Sequence, residues 1–235
     1  MSVILSIDTS TPSCSVALNI NGVLLEDFRL APRMHNDLIL PMVDQLLSQA
    51  ELSLGDIDAI AFGRGPGSFT GLRISAGVVQ GLAYGADLPV IPVSTLEAMA
   101  LEAYRKYNRN FWLSALDARM GEIYVGGFSI SEPNGSVVVE TLLSERVAKP
   151  DSFGVIDEPY NGVGSGWCYQ NILTQQMISP SEFVDEDVSP RALYIGELAK
   201  ELFDKGAVVS SYDAMPTYLR DEISWEKQPL KIGKR

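Results

Sequence analysis

The chain has 235 residues, 46% of them apolar, and 18 basic against 30 acidic side chains give it a formal net charge of −12. That length can bury one large core or two lobes of about a hundred residues each, and no apolar run reaches the roughly 18 residues of a membrane span. Binding to nucleic acid by the chain alone is disfavoured, since phosphate contacts need a basic face and the one basic cluster, Lys227, Lys231, Lys234 and Arg235, reads as a frayed tail.

The N-terminus lacks a basic region and a cleavage site and reads as a strand, Val3 to Ile7, ending at Asp8. Ser15 to Ile20 is a second strand, and Asn21-Gly22 predicts a type I′ turn into a third, Val23 to Leu30. Cys14 and Cys168 lie far apart with no Cys-x-x-Cys pair, which fits a reducing cytoplasm with both thiols buried. His35 is the one histidine. It has no second imidazole or paired cysteine for zinc, and nothing marks it as part of a triad, so it reads as a lone surface side chain.

A helix is expected from Asn36 to Glu51, with Pro41 early in it. Its apolar residues, Leu38, Ile39, Met42, Val43, Leu46, Leu47 and Ala50, cover about half a helical wheel, wider than the roughly 100° stripe that one sheet needs. The short apolar run Ala59 to Phe62 leads into Gly63-Arg-Gly-Pro-Gly-Ser-Phe-Thr-Gly-Leu-Arg73. Strand, glycine loop and helix N-terminus form a generic anion-binding arrangement in which Gly65, Gly67 and Ser68 would face the anion. The motif is neither a P-loop nor a dinucleotide fingerprint, and a tight ligand-free connection is the equal alternative. Ser68 or Thr70 would cap the next helix, Thr70 to Tyr84. Gly77 and Gly81 lie in its interior, at roughly 1 kcal/mol each against alanine, and Gly85, at its stop, falls on the same face. Two adjoining helices with more contact surface than one lobe needs point to a protein partner, or else to a crowded pair within the chain.

Pro89 to Val93 is a short strand, and Thr95 to Arg105 a helix capped by Ser94 or Thr95. Phe111 to Leu116 then ends at Asp117, a turn leads into Ile123 to Ile130, and Asn134-Gly135 into Val137 to Val139. The strand-acid-loop-strand-turn-strand unit of the N-terminus is thus repeated, and Gly162-Val-Gly-Ser-Gly166 weakly echoes the Gly63 loop. Two copies imply two lobes, 1–108 and 109–235, around a cleft. Asp8 and Asp117 would face that cleft from opposing loops and hold a metal-bound phosphate, or else each caps its own turn. Residues 181–187 read as an acidic loop; Ser189-Pro190 opens a helix that Lys205-Gly206 ends and that is expected to pack back on the first lobe. Pro216 to Arg220 closes the folded part, with a mobile tail after it.

Asp8-Thr-Ser10, Gly65-Pro-Gly-Ser-Phe-Thr-Gly-Leu-Arg73, Asp117-Ala-Arg-Met-Gly-Glu-Ile-Tyr124 and Pro216-Thr-Tyr-Leu-Arg220 together resemble the bacterial TsaB (YeaZ) family. The glycine string is highly specific; the likeness is dense over residues 1–125 and thin from about 130 to 212. The resemblance implies an α/β, two-lobed fold of the actin, hexokinase and Hsp70 (ASKHA) type, each lobe a mixed sheet with flanking helices. It implies a cytoplasmic, non-catalytic subunit that works with the transferase TsaD and the ATPase TsaE in making threonylcarbamoyladenosine beside the anticodon of tRNA. TsaD-like proteins carry a His-x-x-x-His metal pair where this chain has Thr95-Leu-Glu-Ala-Met99, and neither end can ligate a hard catalytic metal. No metal or cofactor of its own is therefore expected, and any ATP or ADP would sit at the complex interface, held through partners. In the family the first-lobe helices make both the homodimer and the TsaD contact. Leu38, Met42, Val43 and Leu46, with Arg73, Gly77 and Gly81, would form that surface here. The competing function is a small-molecule phosphotransferase using Asp8 and Asp117, which requires the isolated chain to bind ATP. A protease is disfavoured by the lone His35 and the lack of a nucleophile beside a base.

Overall fold

A computed structural model describes residues 2–152, 157–179 and 183–220; the tail with its basic cluster and the start of the acidic loop lie outside the described residues. The N-terminal half runs β1 (Val3–Asp8), β2 (Ser13–Ile20), β3 (Val23–Leu30), α1 (His35–Gln49), β4 (Ala59–Gly65), α2 (Phe69–Ala86), β5 (Val90–Ser94) and α3 (Thr95–Tyr107). The C-terminal half runs β6 (Phe111–Arg119), β7 (Glu122–Ser131), β8 (Val138–Ala148), β9 (Asn161–Val163), α4 (Gln170–Leu173), β10 (Val184–Asp185) and α5 (Ala192–Asp204).

The two sheets repeat one topology. The first has the order β3-β2-β1-β4-β5 and the second, read the same way, β8-β7-β6-β9-β10. In each, three meandering antiparallel strands are followed by two parallel ones. Asn21 and Gly22 both take positive φ, as the type I′ turn requires. β10 falls within the stretch read as an acidic loop; two residues pair with β9, too short a run for an alternation signal.

Strand alternation sorts the core into layers. Leu5, Ile7, Ile60 and Phe62 face outward onto α1 and α2. Ile4, Ala59, Ala61, Ile91 and Val93 face inward, where α3 and α5 meet Trp112, Phe128 and Ile130 of the second sheet. A third cluster, Leu113, Val125, Tyr160, Trp167 and Leu173, covers the far side of the second sheet. This duplicated arrangement is the two-lobed actin/hexokinase/Hsp70 architecture. No helix among the described residues is long and apolar enough to cross a membrane.

Three local expectations are corrected. α5 starts at Ala192, past Ser189-Pro190, because its N-terminal N–H groups are capped from the first sheet: Ala192 donates to Ser15 Oγ (2.9 Å) and Leu193 to Glu26 Oε1 (3.1 Å), while Arg191 pairs with Glu26. His35 is buried, its Nε2 lying 2.8 Å and 3.1 Å from the Thr11 and Ser13 carbonyls; two acceptors require that nitrogen to carry the proton. It therefore ties the β1–β2 loop to the start of α1. Cys14 is buried as expected, but Cys168 is exposed, since the neighbouring Trp167 takes the inward position beneath β6.

The lobes are bound across their junction. Glu145 of β8 accepts from the Ser94 hydroxyl and pairs with Arg64 of β4 at 3.2 Å. The segment after α5 adds a strap: Thr217 N–H donates to the Arg64 carbonyl (2.7 Å), and Arg220 donates to the Ala118 carbonyl (3.2 Å) and pairs with Glu122.

Candidate functional site

α2 is capped by Ser68, whose Oγ accepts from Gly71 N–H, and it lays Leu72, Ser75, Ala76, Val79 and Ala83 on the first sheet. Part of its outer face is bare. A Cβ added at Gly77, Gly81 or Gly85 would meet nothing within 4 Å. Gly77 and Gly81, with Arg73, Ile74 and Val78, form one wall and the floor of an open groove of about 680 Å³ whose other wall is Asn36 and Leu40 of α1. Leu40 is 50% exposed and Phe69, at one end, 44%. Arg73 lies with its guanidinium 3.8 Å over the Phe69 ring and donates from Nε to the Tyr218 hydroxyl at 3.1 Å.

The residues expected at a partner surface divide in two. Arg73, Gly77 and Gly81 do line the groove. Met42, Val43 and Leu46 do not: they are 0%, 4% and 2% exposed, and Leu38 is half-buried against the same core. The wide apolar arc of α1 is used inside the lobe, on the sheet below and on α2 beside it. Leu40 and Phe69 also line the groove, and Tyr218 stands beside it against Arg73. Leu40 was legible as an apolar residue outside the main stripe; Tyr218 was not, because it arrives on the strap from far along the chain.

The interlobe cleft, about 770 Å³, is lined by Gly67, Ser68 and Asp117, by Arg119 and Arg220, and by Glu186 and Asp187. Asp8 is not among them. It is fully buried, with Oδ2 accepting from Ser10 N–H (3.1 Å) and Oγ (2.9 Å), while Oδ1 faces Gly63 without a hydrogen-bond partner. Burial pushes its carboxyl up to about 7, opposed by the two Ser10 bonds. Asp117 likewise caps its own turn, its Oδ1 accepting from Arg119 N–H at 2.9 Å. The pair of acids facing each other across the cleft is therefore corrected to one cleft acid and one sequestered acid.

The glycine loop is closed by the chain itself. A Cβ at Gly67 would fall 2.6 Å from the Ser10 carbonyl oxygen, and one at Gly71 would fall 1.9 Å from that of Thr9. Ser68 N–H donates to the Ser10 carbonyl (2.7 Å), and the Thr9 hydroxyl to the Gly71 carbonyl (2.7 Å). Gly65 sits at φ +110 with the Thr217 carbonyl against it, outside the cleft lining. Both cleft arginines are paired with carboxylates, and three acids share the lining. That donor set does not fit a polyphosphate. Thr95 and Met99 are core residues, the Thr95 hydroxyl donating to the Pro66 carbonyl (2.6 Å) and Met99 packing beside Gly164.

The sequence model of the family "TsaD: tRNA N6-adenosine threonylcarbamoyltransferase" matches residues 28–159. The chain is 40% identical over 235 residues to the tRNA threonylcarbamoyladenosine biosynthesis protein TsaB of Haemophilus influenzae, covering 96% of this chain and 97% of that one. It is 43% identical over 233 residues to the protein of the same name in Escherichia coli, covering 97% and 99%. YeaZ from Pseudomonas aeruginosa superposes with a TM-score of 0.84 at 39% identity, covering 93% of this chain and 100% of that one. By identity, coverage and architecture alike, the chain belongs to the TsaB (YeaZ) family.

Proposed function

We propose that this chain takes part in threonylcarbamoyladenosine synthesis on tRNA as a non-catalytic subunit that docks a TsaD-type transferase and works with TsaE in the cytoplasm. The observation that carries the reading is the bare glycine face of α2, where the two interior glycines Gly77 and Gly81 have no intrachain neighbour to justify their cost to the helix. A helix from a second subunit laid along Gly77 and Gly81 can approach at backbone distance and bury Leu40, Phe69 and the groove floor. The same face serves a homodimer when the chain is alone. Thr95 and Met99, locked into the core at the places of the transferase's metal pair, supply no catalytic centre of that type. Any ATP or ADP would be held at the junction by partner groups.

Gly81→Leu tests the reading. The added side chain enters open space, so the monomer keeps its fold and melting temperature, and it blocks the groove. Size-exclusion chromatography of the variant mixed with TsaD should show two separate peaks; an undiminished heterodimer would overturn the docking role. The phosphotransferase alternative loses its support with Asp8, which is sealed off from the cleft.

A further inference from the structure

The docking groove carries one positive charge and no negative one. Its lining comes from Asn36, Leu40 and the α2 residues between Phe69 and Leu82, none of them acidic. Arg29, Arg64, Arg105, Arg119, Arg191 and Arg220 each pair with a carboxylate. Arg73, like Arg33 and Arg109, forms no ion pair among the described residues, in a chain with 30 acidic side chains, and of these three it is the one in the groove.

It is nevertheless held in place. The Phe69 ring supports one face of the guanidinium at 3.8 Å, the Tyr218 hydroxyl accepts from Nε at 3.1 Å, and the two rings lie 5.4 Å apart. Strap and helix thus fix the side chain's direction before any partner arrives, and both Nη groups stay available. A planar guanidinium with an unused N–H edge matches a carboxylate in geometry as well as charge. Preset side chains also lose less freedom on binding.

We propose that Arg73 is a preformed receptor for an Asp or Glu carboxylate on the docked subunit, and that it makes the groove favour a different subunit over a second copy of this chain. The proposal rests on the docking role given above. Its occupant is a helical face with small and medium apolar side chains and one acid opposite Arg73. A second copy joined by a two-fold axis lays the same patch against itself. That patch brings no carboxylate from its lining, so each Arg73 is desolvated without compensation. Tyr218 acts as a positioning residue through Arg73.

The test uses the full chain with Arg73→Gln and with Tyr218→Phe, after confirming unchanged melting. Titration against TsaD at low and high salt measures the mixed complex, and sedimentation equilibrium measures self-association. Arg73→Gln should weaken the mixed complex by about tenfold or more and flatten its salt dependence, leaving self-association the same or tighter. Tyr218→Phe, which keeps the ring and removes the hydroxyl, should shift the mixed complex the same way by less. If Arg73→Gln binds TsaD within twofold of the parent while Gly81→Leu abolishes binding, the receptor is refuted and the docking surface stands. Equal weakening of both assemblies by Arg73→Gln also refutes it, since discrimination is the claim. Unaffected pairing in Gly81→Leu removes the docking surface and the receptor together.

Discussion

A methyl group added at Gly71 would lie 1.9 Å from the Thr9 carbonyl oxygen, whereas one added at Gly81, on the same helix, would touch nothing within 4 Å. Sequence alone shows two glycines in one helical pattern and cannot separate these cases, because the first depends on the β1–β4 register that brings Thr9 onto the loop. Asp8 shows the same limit. Its place at a strand end was legible, but its burial follows from that loop closing over it. The consequence can be measured. With a folded value of about 7 against an ordinary 3.8, raised by burial, native Asp8 retains a proton that the unfolded chain has already released between those values. Folding stability attributable to it therefore falls as pH rises from about 4 to about 7 and levels off above. Glu97, raised to about 7 by burial and by Glu145, acts in the same direction. Urea unfolding at pH 5 and pH 8 should show the parent losing stability at the higher pH, and Asp8→Asn should lose markedly less between the two. An unchanged difference would mean that Asp8 is ionised in the native protein.

Helix α1 shows how an element's pattern can be read correctly and assigned to the wrong contact. Its apolar arc, about half a wheel, was legible in Leu38 to Ala50, and its excess width suggested a partner. The extra width instead meets α2, a neighbour whose position no periodicity encodes. What remains exposed is the minor ridge at Leu40, beside the groove. The two surfaces are separable by substitution. Met42→Asp buries a charge in the first core and should leave the chain without a cooperative melt. Leu40→Asp should melt within a few degrees of the parent yet elute apart from TsaD. A Leu40→Asp variant that still forms the mixed complex would remove α1 from the interface. The strands were more legible than the helices' partners: Asn21-Gly22 and the repeated Asp8 and Asp117 units fixed the hairpins, since turn chemistry and alternation are local.

At the scale of the whole molecule, duplication gave the two-lobed layout in advance. Local patterns could not show how much of the core the halves share. Ile4, Ala61, Ile91 and Val93 of the first sheet are sealed by α3 and by Ile195, Leu198 and Ala199 of α5, which lies beyond the second sheet in sequence. A fragment of residues 1–108 should therefore bind a hydrophobic dye and melt without cooperativity, while the same fragment joined through a short linker to residues 188–220 should regain a sharp transition. A cooperative melt from the fragment alone would show that α5 is dispensable for the first lobe. The return of α5 also sets the order of events at birth. The first five strands leave the ribosome early, but the part of their inner face that α3 does not cover stays open until α5 has emerged, so the half begun first is completed late. Chaperone engagement during translation should accordingly persist past the second sheet and end only when α5 is out.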